Sequence, residues 1–239
     1  MKTNKIVLHI PHSSINGIFD KEIGKWPRNA FFVNTCVKEH TDWFTDMLFH
    51  TGDNAIKEII FPYSRFVCDV ERLEDDELNR IGQGIVYTEY NGYKRGALSE
   101  EEYDKIVQLR EEYLMRLKSH ITENSILIDC HSFSNRTMED TPDICIGYNN
   151  DESYSGLIVN EIANNFEKSG YSVKFNFPYA NSLYPKMPFA YKSVMIEVNK
   201  RIYMDEDTIT LNTNPRQWMR WYGCLERIYR KLLFPIYWN

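Results

Sequence analysis

Short apolar runs alternate with stretches of helical periodicity along the chain. The apolar runs predict strands at residues 5–10, 55–61, 125–129, 143–147, 171–175 and 193–198. Several are apolar almost without interruption, the pattern of strands buried on both faces. Between them the spacing predicts helices over 38–51, 99–120, 154–169 and 214–233. This alternation implies an α/β fold with a mixed, largely parallel central sheet flanked by helices.

Local signals sharpen the boundaries. Ser99 followed three residues later by Glu102 has the form of a capping box and starts the helix over 99–120. Gly170 stops the helix over 154–169. The polar stretch 74–96, which contains Gly82, Gly84, Gly92 and Gly96, reads as a long loop, and loops of that length often carry function. No internal repeat or low-complexity tract divides the chain. At 239 residues it lies near the upper limit of one hydrophobic core, so residues 1–239 are expected to form a single catalytic domain.

Composition acts mainly by exclusion. A formal net charge of -6 argues against a general polyanion binder, so nucleic acid is not an expected partner. A local basic pocket for an anionic substrate remains compatible with it. The N-terminal apolar run is too short, and with His9 too polar, for a signal peptide, and no run approaches the roughly 20 apolar residues of a membrane span. The cysteines (Cys36, Cys68, Cys130, Cys145, Cys224) are odd in number, scattered and never in a CxxC pair. Neither a disulfide framework nor a thiolate zinc site is expected, and the cytoplasm is the expected compartment.

Open α/β sheets place ligands beyond the carboxyl ends of their strands, which directs attention to the residues there. After the first strand comes His12, after the central strand Asp129-Cys130-His131-Ser132, and on the last strand Glu197. Histidines and carboxylates at strand ends are the ingredients of a zinc site with one position open to water, although a lone His12 is equally at home hydrogen-bonded in a tight turn. Asp129 is placed to orient the His131 imidazole. Cys130 and His131 are adjacent on a strand and point to opposite faces, which argues against a Cys-His nucleophile. Glu197 lies among apolar residues. A buried carboxylate is costly unless it is paired, for example with Lys200 or Arg201, or bound to a cation, and burial suits a general base. Arg65 and Arg72 stand in largely apolar surroundings, as carboxylate clamps for an acidic substrate or as structural partners of Asp69. Asp42 reads either as a helix-start acid or as part of a metal shell. Trp218, Trp221, Tyr222 and Tyr229, at nearly helical spacing, form a core-facing helix surface or a self-association surface in a monomer or homodimer.

In order along the chain, these segments resemble the N-formylglutamate amidohydrolase family. Pro11-His12-Ser13 is similar to its strand-then-PHS start, Thr41-Asp42 to its T-D element, and Ser64-Arg65 through Asp69-Val70-Glu71-Arg72 to its S-R-x-x-x-D-x-N-R segment. Gly82 to Thr88, Leu98-Ser99, Asp129-Cys130-His131-Ser132, Asn176-Phe177-Pro178-Tyr179 and Ile196-Glu197 follow. No single motif is specific; their order is. The resemblance implies a phosphorylase/hydrolase-like, zinc carboxypeptidase-like fold in which one zinc ion is held by two histidines, matched here by His12 and His131, and an early carboxylate. Ile15 stands where the carboxypeptidase pattern has Glu, and Asp42 is the candidate for that carboxylate.

The implied function is zinc-dependent hydrolysis of a small acidic N-acyl amino acid, N-formyl-L-glutamate first, in histidine degradation. Zinc lowers the pKa of bound water toward ~7 and Glu197 acts as general base. Arg72 is the nearby cation at the oxyanion, Arg65 and Arg72 grip substrate carboxylates, and Tyr179 and Tyr184 line the pocket. One departure bears on the substrate: Glu71 stands where the family usually has Asn, and a negative charge beside an anion clamp weakens binding of an acidic substrate. The competing readings are a metallo-carboxypeptidase or peptidoglycan amidase on the same fold, and a non-catalytic binding module.

Overall fold

The structure is a computed structural model and describes residues 5–136 and 139–234. The chain divides into two compact units, one comprising the chain through Ile10, Phe44–Ile59 and the part from His120 onward, the other Pro11–Trp43 and Ile60–Ser119. The strands β1 (Lys5–Ile10), β2 (Ile56–Ile60), β3 (Ser125–Phe133), β4 (Ile144–Gly147), β5 (Val173–Phe175) and β6 (Lys192–Asn199) form one sheet. The long helices are α1 (Glu100–His120), α2 (Gly156–Lys168) and α3 (Pro215–Leu232).

The first unit holds the sheet, in the order β2-β1-β3-β6-β4-β5. β1 with β3, β3 with β6, and β4 with β5 run parallel, and β4 runs antiparallel to β6. The mixed, mostly parallel sheet expected from the apolar runs is therefore present. All nine residues of β3 are buried, as its sequence Ser-Ile-Leu-Ile-Asp-Cys-His-Ser-Phe requires of a central strand covered on both faces. The strand continues four residues past the predicted end at Asp129, so His131 is part of the strand and not of a following loop. Polar residues end an apolar run without ending the backbone ladder.

α2 and α3 pack against each other, and α2 also lies against β4 and β5. α3 buries Trp221, Cys224, Leu225, Ile228, Tyr229 and Leu232, a stripe at helical spacing. Trp221 and Tyr229 thus belong to the core; the Trp221 indole N–H donates to the Leu48 carbonyl at 2.7 Å. Trp218 and Tyr222 stack on each other along the more accessible side. Asn214 caps α3 with Pro215 in its first turn, Ser155 caps α2, and Gly170, at φ 79°, follows α2 as expected.

The second unit contains α1, started by the predicted box: the Glu102 N–H donates to Ser99 Oγ at 3.2 Å and the Ser99 N–H to Glu102 at 2.7 Å. Two expectations are corrected here. The helix over 38–51 is not continuous: the chain is helical from Ala30 to His40, with a π-helical turn at Val33–Val37, and turns extended at Thr41. Phe44 is left-handed at φ 63°, and only Thr45–Leu48 is helical after it. The stretch 74–96 is not a plain loop. It contains a 3₁₀ turn, Glu77–Ile81, and a hairpin of Glu89–Tyr90 with Tyr93–Lys94 about Asn91-Gly92, both at positive φ, the dipeptide that favours a tight hairpin turn.

All five cysteines are buried free thiols. Among the described residues no helix is long and apolar enough to cross a membrane.

Asp143, just before β4, joins two elements of the first unit. It accepts hydrogen bonds from Arg201 at 2.9 and 3.2 Å and from the Ser172 backbone N–H and hydroxyl at 2.9 and 3.0 Å. Burial opposes its ionisation, but the bonds from Ser172 and Arg201 outweigh burial and hold the carboxyl below its ordinary value. A carboxylate depressed in the folded state stabilises above its unfolded pKa, and that contribution disappears as pH falls through the folded value. Asp143→Asn is therefore expected to cost about 1–2 kcal/mol at neutral pH. In urea titrations the difference from wild type should shrink below roughly pH 4.

Candidate functional site

In the first unit, the register of three parallel strands sets the chemistry. His9 on β1 pairs with Asp129 on β3, and His131 on β3 pairs with Glu197 on β6. Partners in register point to the same face, and positions two apart on a strand share it, so His9, Asp129, His131 and Glu197 lie on one face near the carboxyl ends of the strands. All four are buried. One oxygen of Asp129 lies 2.7 Å from His9 Nδ1 and 3.0 Å from His131 Nε2; the other accepts the Leu183 backbone N–H at 2.9 Å. Burial alone would raise the Asp129 carboxyl, but His131 first and then His9 hold it well below the usual range. The contact engages Nε2 of His131, so Asp129 orients this imidazole. Leu183 ties the segment carrying Tyr179 and Tyr184 to the same carboxylate.

Cys145 pairs with Glu197 from the other neighbouring strand, and its thiol lies 3.2 Å from the Tyr179 carbonyl; burial pushes it up to about 11. Cys130 points to the opposite face from His131, and burial raises its thiol well above the ordinary value, which keeps it out of nucleophilic chemistry. Tyr179 is 40% exposed and packs edge-on against Phe133, with ring centroids 6.1 Å apart. Tyr184 packs on Tyr191. Arg201, a sequence-level partner for Glu197, is paired with Asp143.

In the second unit the centre is Asp69, fully buried. A turn begins at Ser64, whose carbonyl accepts the N–H groups of Val67 and Cys68 and whose hydroxyl accepts that of Phe66. This turn brings Arg65 and Asp69, four residues apart, to one side. Asp69 Oδ2 then accepts from Arg65 at 3.0 Å and from the Tyr87 hydroxyl at 2.9 Å, with Arg72 Nε at 3.6 Å. Its Oδ1 accepts the Glu71 backbone N–H at 3.2 Å and lies 3.1 Å from His12 Nε2. Burial opposes this charge, and Arg65, His12 and Arg72 in turn overcome it and hold the carboxyl well below the usual range. His12 has two further carboxylates nearby: Asp42 is 3.8 Å from its Nδ1 and Glu71 is 3.6 Å from its Nε2.

Arg95 braces these loops. Its buried guanidinium donates to the carbonyls of Ile23, Gly24, Val67 and Tyr87. Behind it Trp26, Phe32, Phe66, Tyr87 and Tyr90 form an aromatic core, with the Trp26 N–H on the Phe66 carbonyl at 2.7 Å.

The sequence-predicted residues thus fall into two sets, His12, Asp42, Arg65 and Arg72 in one unit and His131, Glu197 and Tyr179 in the other. Each unit carries donors of the kind that hold a divalent ion, buried His12 and half-buried Glu71 in the second, and buried His9, Asp129 and His131 in the first. The chemistry of these donors, imidazole and carboxylate, fits zinc. Sequence reasoning missed His9 and Tyr87, the first visible as a histidine inside an apolar strand; its reading of Arg65 and Arg72 as structural partners of Asp69 is borne out.

A protein-family model described as N-formylglutamate amidohydrolase matches residues 5–204 of the chain. Among solved structures the chain is similar to the N-formylglutamate amidohydrolase from Ralstonia eutropha JMP134, with a TM-score of 0.77, 16% identity, and coverage of 97% of this chain and 94% of that one. It is also similar to the gene product Atu2144 from Agrobacterium tumefaciens, with a TM-score of 0.63, 17% identity, and coverage of 96% and 89%. At these identities the likeness establishes the fold alone. A search of curated proteins finds no match.

Proposed function

Because the chain belongs to the N-formylglutamate amidohydrolase family, we propose that it is a zinc-dependent enzyme that hydrolyses the amide of an N-acyl amino acid, N-formyl-L-glutamate first, to formate and glutamate. The observation that supports this reading most is the pairing of His131 with Glu197 in register on neighbouring strands, an oriented imidazole beside a buried carboxylate. In this reading His12 and His131 are the nitrogen ligands of one Zn²⁺, and a carboxylate next to His12, Asp42 or Glu71, is the oxygen ligand. The ion supplies a Lewis acid for the amide carbonyl and an acidified water.

The remaining chemistry belongs to the chain. Glu197 takes the proton of the attacking water and returns it to the departing nitrogen. Asp129 fixes the tautomer and orientation of His131. Arg72 stabilises the developing oxyanion, and with Arg65 it grips the substrate carboxylates; both guanidiniums are pre-oriented by Asp69, so little entropy is lost on binding. Tyr179, exposed at the edge of the first unit's site, contacts the bound substrate. A cytoplasmic role in histidine degradation fits this substrate.

The specificity is tested by comparing kcat/KM for N-formyl-L-glutamate with that for N-formyl-L-alanine. A side-chain carboxylate on an arginine clamp is expected to give the glutamate derivative a roughly 10- to 100-fold advantage, the worth of a charge-assisted hydrogen bond. Equal rates for both, or cleavage of peptides in place of formyl amino acids, contradict the assignment.

A further inference from the structure

We propose that His9, which lies outside every segment that carries the family resemblance, is a positioning residue for the reaction: through Asp129 it holds the His131 imidazole in one tautomer and one orientation beside Glu197. Its kinetic consequences rest on the hydrolase reading above; its geometry does not. Asp129 Oδ1 lies 2.7 Å from His9 Nδ1 and 3.0 Å from His131 Nε2, while Oδ2 accepts the Leu183 N–H at 2.9 Å. An ionised carboxylate only accepts hydrogen bonds, so each imidazole carries a proton on the nitrogen that faces it, Nδ1 in His9 and Nε2 in His131. His9 makes the shorter of the two contacts to the shared oxygen.

Strand pairing does not call for a histidine at this position. β1 is in register with β3 from Lys5 to His9, and Ile6, Val7, Leu8 and Ile10 are fully buried apolar residues. His9 is fully buried among them, where an apolar side chain would avoid the cost of desolvating a polar ring. That cost is offset by the bond to Asp129, the same carboxylate that holds His131. A polar residue that breaks an apolar strand pattern is the kind of local departure that functional sites carry.

What His9 adds is uniqueness. With His131 and Leu183 as its only two of these three donors, the carboxylate could rotate about its Cβ–Cγ bond and exchange its oxygens, because that torsion is broad and roughly two-fold. A second imidazole on Oδ1 distinguishes the oxygens, one turned to the histidines and one to Leu183. His131 then meets its acceptor in one place, and its ring, in register with Glu197, is oriented before substrate arrives.

The test compares His9→Leu, His9→Gln and His9→Asn with wild type. The ring-nitrogen NMR spectrum of His131 is recorded on chelator-treated protein, formate release from N-formyl-L-glutamate is followed with Zn²⁺ added, and circular dichroism checks folding. An asparagine side chain sets its amide nitrogen as far from the backbone as Nδ1, and a glutamine as far as Nε2, so only His9→Asn returns a donor to Asp129. Wild type and His9→Asn are expected to show His131 protonated on Nε2 alone, and His9→Leu and His9→Gln to show it exchanging between tautomers. In the latter two kcat should fall about 10- to 100-fold with KM little changed, and His9→Asn should recover most of that loss. A wild-type His131 spectrum in His9→Leu and His9→Gln, or equal kcat in His9→Asn and His9→Gln, overturns the proposal. If His9→Leu does not fold, His9→Asn and His9→Gln decide. No formate release by wild type overturns the hydrolase reading instead, and the ring spectra alone then decide whether His9 positions His131.

Discussion

Asp69→Ala is expected to lower stability by about 3–5 kcal/mol, the cost of removing one partner from a buried charge network. The magnitude follows from what is left behind. Arg65 loses its 3.0 Å carboxylate partner, the Tyr87 hydroxyl its 2.9 Å acceptor and Arg72 one of its two counter-ions, keeping Asp76 at 3.8 Å, all in a region packed by Phe66 and Tyr87. The largely desolvated Arg65 guanidinium and the buried Tyr87 hydroxyl then lose an acceptor that water replaces poorly. For a chain of this size the loss corresponds to a fall in Tm of roughly 2–4 °C per kcal/mol. Asp69→Asn, which keeps the shape and loses the charge, should fall between wild type and alanine. Thermal unfolding followed by circular dichroism measures this; an alanine variant melting within 2 °C of wild type would show that the carboxylate is not the hub of the second unit.

Glu197→Gln is expected to reduce kcat for formate release by about 10²- to 10⁴-fold, the usual worth of a positioned general base, with little change in KM. The amide keeps the volume of a side chain buried on β6 opposite His131, so the fold should persist and zinc should still bind. That combination separates a proton-transfer role from a structural or ligand role. A kcat within threefold of wild type rules out Glu197 as the base, and a large loss of zinc affinity places it among the ligands.

Much of the sheet is legible in the sequence because each of its strands is a short apolar run between turn signals, and β3, β4, β5 and β6 all begin within two residues of the predicted position. The start of α1 and the end of α2 are legible through Ser99 and Gly170, whose chemistry is local. The break at Thr41–Phe44 is not, because Trp43, Phe44, Leu48 and Phe49 keep an apolar spacing that a continuous helix would also show, and a left-handed phenylalanine carries no side-chain signal. The candidate site divides in the same way. Residue types are visible one at a time, so His12, Asp42, His131, Glu197, Arg65 and Arg72 can each be picked out. Which of them share a face depends on register between β3 and β6, whose paired positions His131 and Glu197 are far apart in the chain. The closure of Tyr87 onto Asp69 is likewise tertiary. Glu71 stands out in the sequence only as a departure from a pattern, and its approach to within 3.6 Å of His12 is likewise tertiary.

The central claim, that this chain hydrolyses a formyl amide with one bound zinc ion, is tested most directly by titrating chelator-stripped protein with Zn²⁺ while following formate release from N-formyl-L-glutamate. The account predicts activity that is absent at the start, rises with added zinc and reaches a plateau at one ion per chain. Undiminished hydrolysis by the stripped protein, or stoichiometric zinc binding with no formate released, would contradict it.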